Sequence, residues 1–229
     1  MEKTDLAARM KKCYEDPYRL RLTRRTPVIL RLDGKSFHSL TRKCQRPYDE
    51  NLRGCLCFAA EKLCGEIQGA KCGYVQSDEI SILLVDFTKL DTEAWFDNNL
   101  QKMVSVAASI CAVSFSAKFG LPGYFDARAF NIPRDDVVNY FIWRQKDGER
   151  NSIMMLAQSL YPASALEGKS LARLHDLIHQ AGRNWASMPA GFKNGHFLTR
   201  EDRQWLAVPA PIFSQNREVI EILMKAEEK

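Results

Sequence analysis

Between residues 26 and 132 the chain alternates short runs suited to strands with longer runs suited to helices, and the order of these runs restricts the fold more than any other feature. Thr26-Pro27 punctuates the chain, because proline removes a donor and disfavours helix. The apolar run Val28-Ile29-Leu30-Arg31-Leu32 follows and closes on Asp33-Gly34. Asp49 is a candidate N-cap for a helix whose apolar positions, Leu52, Leu56, Ala59, Ala60, Leu63 and Ile67, recur at three- and four-residue intervals. Two β-rich runs, Cys72–Gln76 and Ile80–Val85, are separated by the polar turn Ser77-Asp78-Glu79 and read as a hairpin. A second helix is expected over 93–118, with Leu100, Met103, Val104, Ala107, Cys111 and Phe115 on one face and Gly120, Pro122 and Gly123 ending it. Phe125–Ile132 alternates with period two, as a strand does. The order β-α-β-β-α-β specifies an α+β fold of ferredoxin-like βαββαβ type, an antiparallel sheet with helices on one face.

Residues 134–229 carry mostly helical patterns, at 135–160, at 165–181 and over the last fifteen residues. The expected organisation is a core over 1–134 that includes a basic N-terminal helix or arm, and a mostly helical C-terminal region over 135–229. No linker separates the two, so they are expected to pack as one unit.

Composition excludes several classes. At 45% hydrophobic and 27% charged over 229 residues, the chain can bury a sizeable core. No stretch reads as a membrane span, and Met1-Glu2-Lys3-Thr4-Asp5 lacks the pattern of a signal peptide, so a cytoplasmic location and no membrane partner are expected. Seven cysteines include a Cys55-Leu56-Cys57 pair but no second pair at zinc-ligand spacing, and reduced thiols are expected. Residues 1–48 hold 13 Lys/Arg against 5 Asp/Glu, a balance of +8 in a chain whose net charge is +5. That concentration suggests a polyanionic partner. Lys193, His196 and Arg203, interleaved with Trp185 and Trp205, form a second candidate for nucleic-acid contact over 183–205. Gly168-Lys169-Ser170 is not a phosphate-binding P-loop, because Ala163 stands where that motif needs glycine.

In a ferredoxin-like sheet the first and third strands are neighbours. Asp33, ending the first, and Asp78, heading the third, would then converge, with Glu79 beside them. Converged carboxylates need a cation, and two-metal sites of this kind serve phosphoryl transfer. Mg²⁺ suits a site of carboxylates plus substrate phosphates. Arg31, Lys35, Arg42, Lys43, Arg46 and Lys102 supply cations for a triphosphate, and His38 is a polar candidate nearby.

Arg31-Leu32-Asp33-Gly34-Lys35-Ser36-Phe37-His38 and Gly73-Tyr74-Val75-Gln76-Ser77-Asp78-Glu79 resemble the two signature blocks of the tRNA-histidine guanylyltransferase superfamily. Phe125-Asp126-Ala127-Arg128 and Trp143-Arg144-Gln145-Lys146-Asp147 are similar to its later blocks. The resemblance covers roughly 25–195 and implies a polymerase-type palm that adds nucleotides to the 5′ end of tRNA. It implies catalytic Asp33, Asp78 and Glu79, with Asp33, Asp78 and the carbonyl of Gly34 holding two Mg²⁺ ions. The implied nucleotide-binding residues are Arg31, Lys35, Ser36, Phe37, His38, Arg46, Ser77, Lys102 and Asn151.

After the Trp-Arg-Gln block the chain reads Glu149-Arg150-Asn151-Ser152-Ile153-Met154-Met155, which departs from the eukaryotic enzymes in all but Asn151, and Asn99 stands where a second triphosphate-contacting arginine is expected. These departures point to the bacterial Thg1-like branch. The resemblance there implies templated repair of 5′-truncated tRNA after activation with ATP, with GTP and ATP as substrates and a homotetrameric assembly. The alternatives are untemplated guanylylation of histidine tRNA and a nucleotide-cyclase-type enzyme on the same palm. A non-catalytic RNA-binding sheet is disfavoured, because Leu, Ile and carboxylate occupy the strand positions where such modules expose aromatics.

Overall fold

The computed structural model describes residues 5–225. The first residues of the basic arm and the end of the expected terminal helix lie outside them. Six strands form one antiparallel sheet: β1 (Val28–Gly34), β2 (Ala70–Gln76), β3 (Glu79–Leu84), β4 (Phe125–Asn131), β5 (His196–Glu201) and β6 (Gln204–Pro209). Their spatial order is β4-β1-β3-β2-β5-β6. The helices are α1 (Leu6–Met10), α2 (Phe37–Leu40), α3 (Glu50–Glu66), α4 (Leu100–Phe119), α5 (Arg134–Gln158), α6 (Ala163–Leu166), α7 (Leu171–Gln180), α8 (Ala190–Asn194) and α9 (Glu218–Glu221). The β4-β1-β3-β2 half is the expected ferredoxin-like sheet.

The two long helices of that half lie on one face of the sheet. Asp49 caps α3 by accepting from the Leu52 amide at 2.8 Å. Its buried positions, Leu56, Ala59, Ala60 and Leu63, meet Leu30, Leu32, Ile80 and Ile82 of the sheet. Helix α4 starts at Leu100 rather than 93. Phe96, Asp97 and Asn98 all have positive φ, which breaks the helical repeat, and Asn99 then caps α4 by accepting from the Lys102 amide at 3.0 Å. Gly120, at φ +82°, ends it. By length and composition the 20-residue α4 could cross a membrane, with mean hydropathy 1.4 over an 18-residue window, contrary to the expectation that no stretch would qualify. Its Met103, Ala107, Cys111 and Phe115 are completely buried against the sheet and α3, as in a core helix.

The sheet is covered on both faces, not one. Ile29, Cys72, Tyr74 and Leu83 point away from α3 and α4 and pack under Val137, Val138, Tyr140 and Phe141 of α5, with Phe213. Strands that are apolar on both sides need cover on both sides. Gly148 lets α5 approach the end of β2: a Cβ there would lie 2.4 Å from Gln76 Cγ, whose amide donates to the Gly148 carbonyl at 3.0 Å. Gly148→Ala is expected to cost about 1–3 kcal/mol through overpacking, read as a lower urea midpoint with an unchanged m-value.

The segment 183–205, read as a candidate nucleic-acid contact, is largely structural. Part of it becomes the β5–β6 hairpin, which extends the sheet beyond β2 through Gly73↔Leu198, Tyr74↔Phe197 and Val75↔His196. Trp205 packs on the main core, and Trp185 donates to Ser152 Oγ at 2.9 Å. The basic arm is also partly neutralised in place. Arg24 pairs with buried Asp86 at 2.9 Å and with Asp97 at 3.1 Å, and Arg21 pairs with Asp97.

Candidate active site

The register of β1 against β3 puts Asp33 opposite Glu79, and the Gly34 amide donates to the Asp78 carbonyl at 3.1 Å. These two contacts bring both acidic turns to one end of the sheet. Ser36 and Ser77, which flank the acids, both occupy the left-handed region, at φ +58° and +54°. Non-glycine residues rarely hold that conformation, and functional turns are among the places that tolerate it. Gly34 is needed for close packing: a Cβ there would sit 2.4 Å from the Phe37 ring, which is wedged between Phe115 and Phe125.

The three acids are held differently. Glu79 is bound by two arginines. Arg144 meets it in a bidentate pair at 2.6 Å and 2.6 Å, and Arg31 Nη2 approaches the same carboxylate at 2.6 Å. Arg144 also reaches Asp147 at 3.1 Å. Among the described residues no such cation pairs with Asp78. Burial pushes its carboxyl above the ordinary value of 3.8, and the charge of Asp33 pushes the same way, partly offset by hydrogen bonds from its own backbone and Ser77. Asp33 and Asp78 thus stand close enough to repel.

That repulsion is the test of fit for a cation. Among the described residues no three His, Cys, Asp or Glu side chains are grouped to hold a metal. Glu79 is already neutralised, which leaves the carboxylates of Asp33 and Asp78, with the Gly34 carbonyl adjoining. Such a hard, incomplete oxygen set suits Mg²⁺, which keeps waters and takes substrate phosphates as its remaining ligands.

Beside Asp78 opens a cavity of about 430 Å³. Phe37, His38, Arg46, Ser77 and Asn151, five of the residues the resemblance assigned to nucleotide binding, line it. Arg31, Lys35, Ser36 and Lys102 do not. Arg31 is committed to Glu79, and Lys35 lies in the turn after β1, its amide donating to the Tyr124 carbonyl at 2.8 Å. Lys102 lies in the first turn of α4, about 20 Å along the helix from Phe115, which packs near the acids' end of the sheet. The structure therefore does not bring Lys102 to Asp33 and Asp78 within one chain.

The cavity also uses residues to which sequence reasoning assigned no role in nucleotide binding. Tyr48, Arg53 and Gln76 line it, as does His196, read from the sequence as part of a nucleic-acid contact. Arg53 is held by Glu50 at 2.8 Å and reaches His196 Nε2 at 3.3 Å. A guanidinium can only donate, so this contact makes Nε2 the acceptor and the ring neutral. Burial, and then the Arg53 charge, lower the His196 pKa from 6.5 to about 4. Between those values the unfolded chain binds the proton and the folded chain does not, so stability should fall as pH drops from about 6.5 to about 4. A melting temperature that declines over that window, and declines less in His196→Gln, is the expected result. No local pattern joins His196 to Arg53, 143 residues away; they meet once β5 pairs with β2.

Comparison with known proteins identifies the fold and the family. A bacterial tRNA(His) guanylyltransferase (Thg1)-like protein solved with ATP superposes with a TM-score of 0.92 at 38% identity, over 96% of this chain and 99% of that one. A structure of such a protein with GTP gives 0.86 at 38% identity, over 95% and 97%. The tRNA(His) guanylyltransferase of Schizosaccharomyces pombe is 26% identical over 211 residues, 81% of this chain and 78% of that protein. The family model for tRNAHis guanylyltransferase, Thg1, matches residues 7–133, and the chain belongs to that family of nucleotidyltransferases.

Proposed function

We propose that this chain is a metal-dependent 3′-5′ nucleotidyltransferase that extends the 5′ end of tRNA, repairing truncated ends against the opposing strand after activation with ATP. The observation that carries the reading is the convergence of Asp33 and Asp78 beside a cavity large enough for a nucleotide. Structures of Thg1-like proteins with ATP and GTP support the choice of nucleotides.

Asp33 and Asp78, with the Gly34 carbonyl, would hold two Mg²⁺ ions. When bound there, the ions lower the pKa of an attacking hydroxyl and neutralise phosphate charge. The cavity holds the nucleotide, and the Arg31–Glu79–Arg144 cluster keeps the floor of the site rigid. In the addition step the 3′-hydroxyl of the incoming nucleotide attacks the activated 5′ phosphorus of the RNA. The hydroxyl gives its proton to solvent, its oxygen forms a phosphodiester bond to that phosphorus, the phosphoanhydride bond breaks, and AMP or pyrophosphate leaves with the bonding electron pair. Orientation and fixed charge supply most of the rate.

The free cysteines among the described residues support a reducing, cytoplasmic setting. Exposed Leu6, Met10 and Tyr14 along the N-terminal arm, and Val113 on α4, provide apolar surface for a homotetramer, which light scattering would measure. The deciding experiment is incubation with ATP, GTP, Mg²⁺ and 5′-labelled truncated tRNAs, read at single-nucleotide resolution. Growth that follows the opposing strand is expected. A single guanosine added regardless of pairing would indicate guanylylation instead, and product formed from nucleotide alone would indicate a cyclase.

A further inference from the structure

The β1–β4 ladder places Asp126 opposite Asp33 and Arg128 opposite Arg31. Residues directly opposite share a face, so two like-charge rungs stand side by side, an arrangement a sheet tolerates poorly without compensation. Arg31 has its compensation in Glu79. Arg128 has a loose pair with Asp126 at 3.5 Å, in which both side chains are more than half exposed, and such pairs are easily exchanged for another anion. A guanidinium thus faces solvent on the edge strand, two residues from the rung that holds Asp33, or about 7 Å along it.

An exposed aromatic surface is linked to it stepwise through Phe130 and Tyr140. Trp143 of α5 is 54% exposed. The Arg144 guanidinium lies 4.5 Å from its ring centroid and Tyr140 5.8 Å from it. Tyr140 in turn contacts Phe130 at 5.9 Å, two residues beyond Arg128 on the same face of β4. Arg144 also grips Glu79, which ties this surface to the acids. Neither Arg128 nor Trp143 lines the nucleotide cavity.

We infer that Arg128 and Trp143 form the landing surface for the 5′ end of the RNA, with Arg128 taking the terminal phosphate and Trp143 stacking on the first base. The inference rests on the reading under Proposed function. That reading requires two substrates to meet at Asp33 and Asp78, and the cavity provides for one. An exposed cation beside a supported aromatic is the chemistry that grips a single-stranded nucleic-acid end.

The test is binding of an acceptor-stem RNA hairpin, bearing either a 5′-monophosphate or a 5′-hydroxyl, to wild type, Arg128→Ala, Arg128→Gln, Arg128→Lys and Trp143→Ala, with matched thermal melts. Wild type should prefer the phosphorylated RNA by about tenfold or more. Arg128→Ala and Arg128→Gln should erase that preference and reduce the slope of log affinity against log salt by about 0.7, while Arg128→Lys keeps part of it. Trp143→Ala should weaken both RNAs alike, by about fivefold or more, with ATP affinity within twofold of wild type.

A phosphate preference that survives in Arg128→Gln would overturn the inference. A loss of ATP or GTP affinity in that variant would overturn it too, because Arg128 would then serve the nucleotide's phosphates. So would a changed molar mass in Trp143→Ala with RNA binding intact, which would give the surface to a second copy of the chain. Wild-type protein that binds these RNAs with the expected preference, yet adds nothing to any of them, would reject the proposed activity and leave the landing surface standing.

Discussion

Asp33→Ala should reduce nucleotide addition by roughly a thousandfold or more, because it removes half of the carboxylate pair that would hold the metal ions. The same substitution should leave the protein as stable as wild type at pH 7, or slightly more so. Asp78 is half-buried near Asp33, and its carboxyl is raised by loss of solvent and by that neighbouring charge. A raised acid favours the folded state at low pH, and that contribution disappears as pH climbs through the folded value. Asp33→Ala removes one source of the repulsion, so the loss on going from acid to neutral pH should shrink. Thermal melts at pH 4 and pH 7, run beside a radiolabelled addition assay, measure both effects. Near-normal turnover would sink the assignment of Asp33.

The second large effect separates Glu79 from the other two acids. Glu79→Ala should cost about 3–5 kcal/mol of folding stability, measured by urea unfolding, because it strands the Arg31 guanidinium and leaves that of Arg144 only Asp147, both mostly out of solvent. Arg31 and Arg144 side chains are 19% and 9% exposed, and both give up their shortest ion pair in this variant. Activity would fall as well, through loss of the site's floor. A stability loss below about 1 kcal/mol would show that the cluster does not depend on this carboxylate. Asp33→Ala and Glu79→Ala, at the two positions of one rung, are thus expected to fail in opposite ways: the first folded and inactive, the second destabilised.

The contrast was not legible in the sequence. Asp78 and Glu79 are neighbours in one polar turn, and nothing local assigns them different duties. Their roles diverge because Arg144 arrives from α5, 65 residues later, and because β1 presents Arg31 to the same carboxylate. The same reasoning explains Lys102. Residue type recommended it for triphosphate binding, yet α4 lies lengthwise under the sheet, with Lys102 toward the end away from the acids. The cavity wall was hidden for a related reason, since Arg53 and His196 meet through the pairing of β5 with β2.

Other features were legible because they are local. Apolar spacing revealed α3 and the buried stripe of α4; Asp49 and Gly120 marked helix ends through capping chemistry that involves a few adjacent residues. The start of α4 was misplaced by several residues because three consecutive positive-φ residues, Phe96, Asp97 and Asn98, carry no periodic signature.

Periodicity and turn chemistry, read from the chain alone, determined the βαββαβ order, and from that order the meeting of Asp33 with the Ser77-Asp78 turn, because strand adjacency follows from element order in so compact a topology. Only the tertiary structure decided which acid stays free, which cations reach the site, what covers the second face of the sheet and where the cavity opens. Each of those outcomes depends on contacts between residues far apart in sequence, where charge and shape are matched by packing and leave no trace in local pattern.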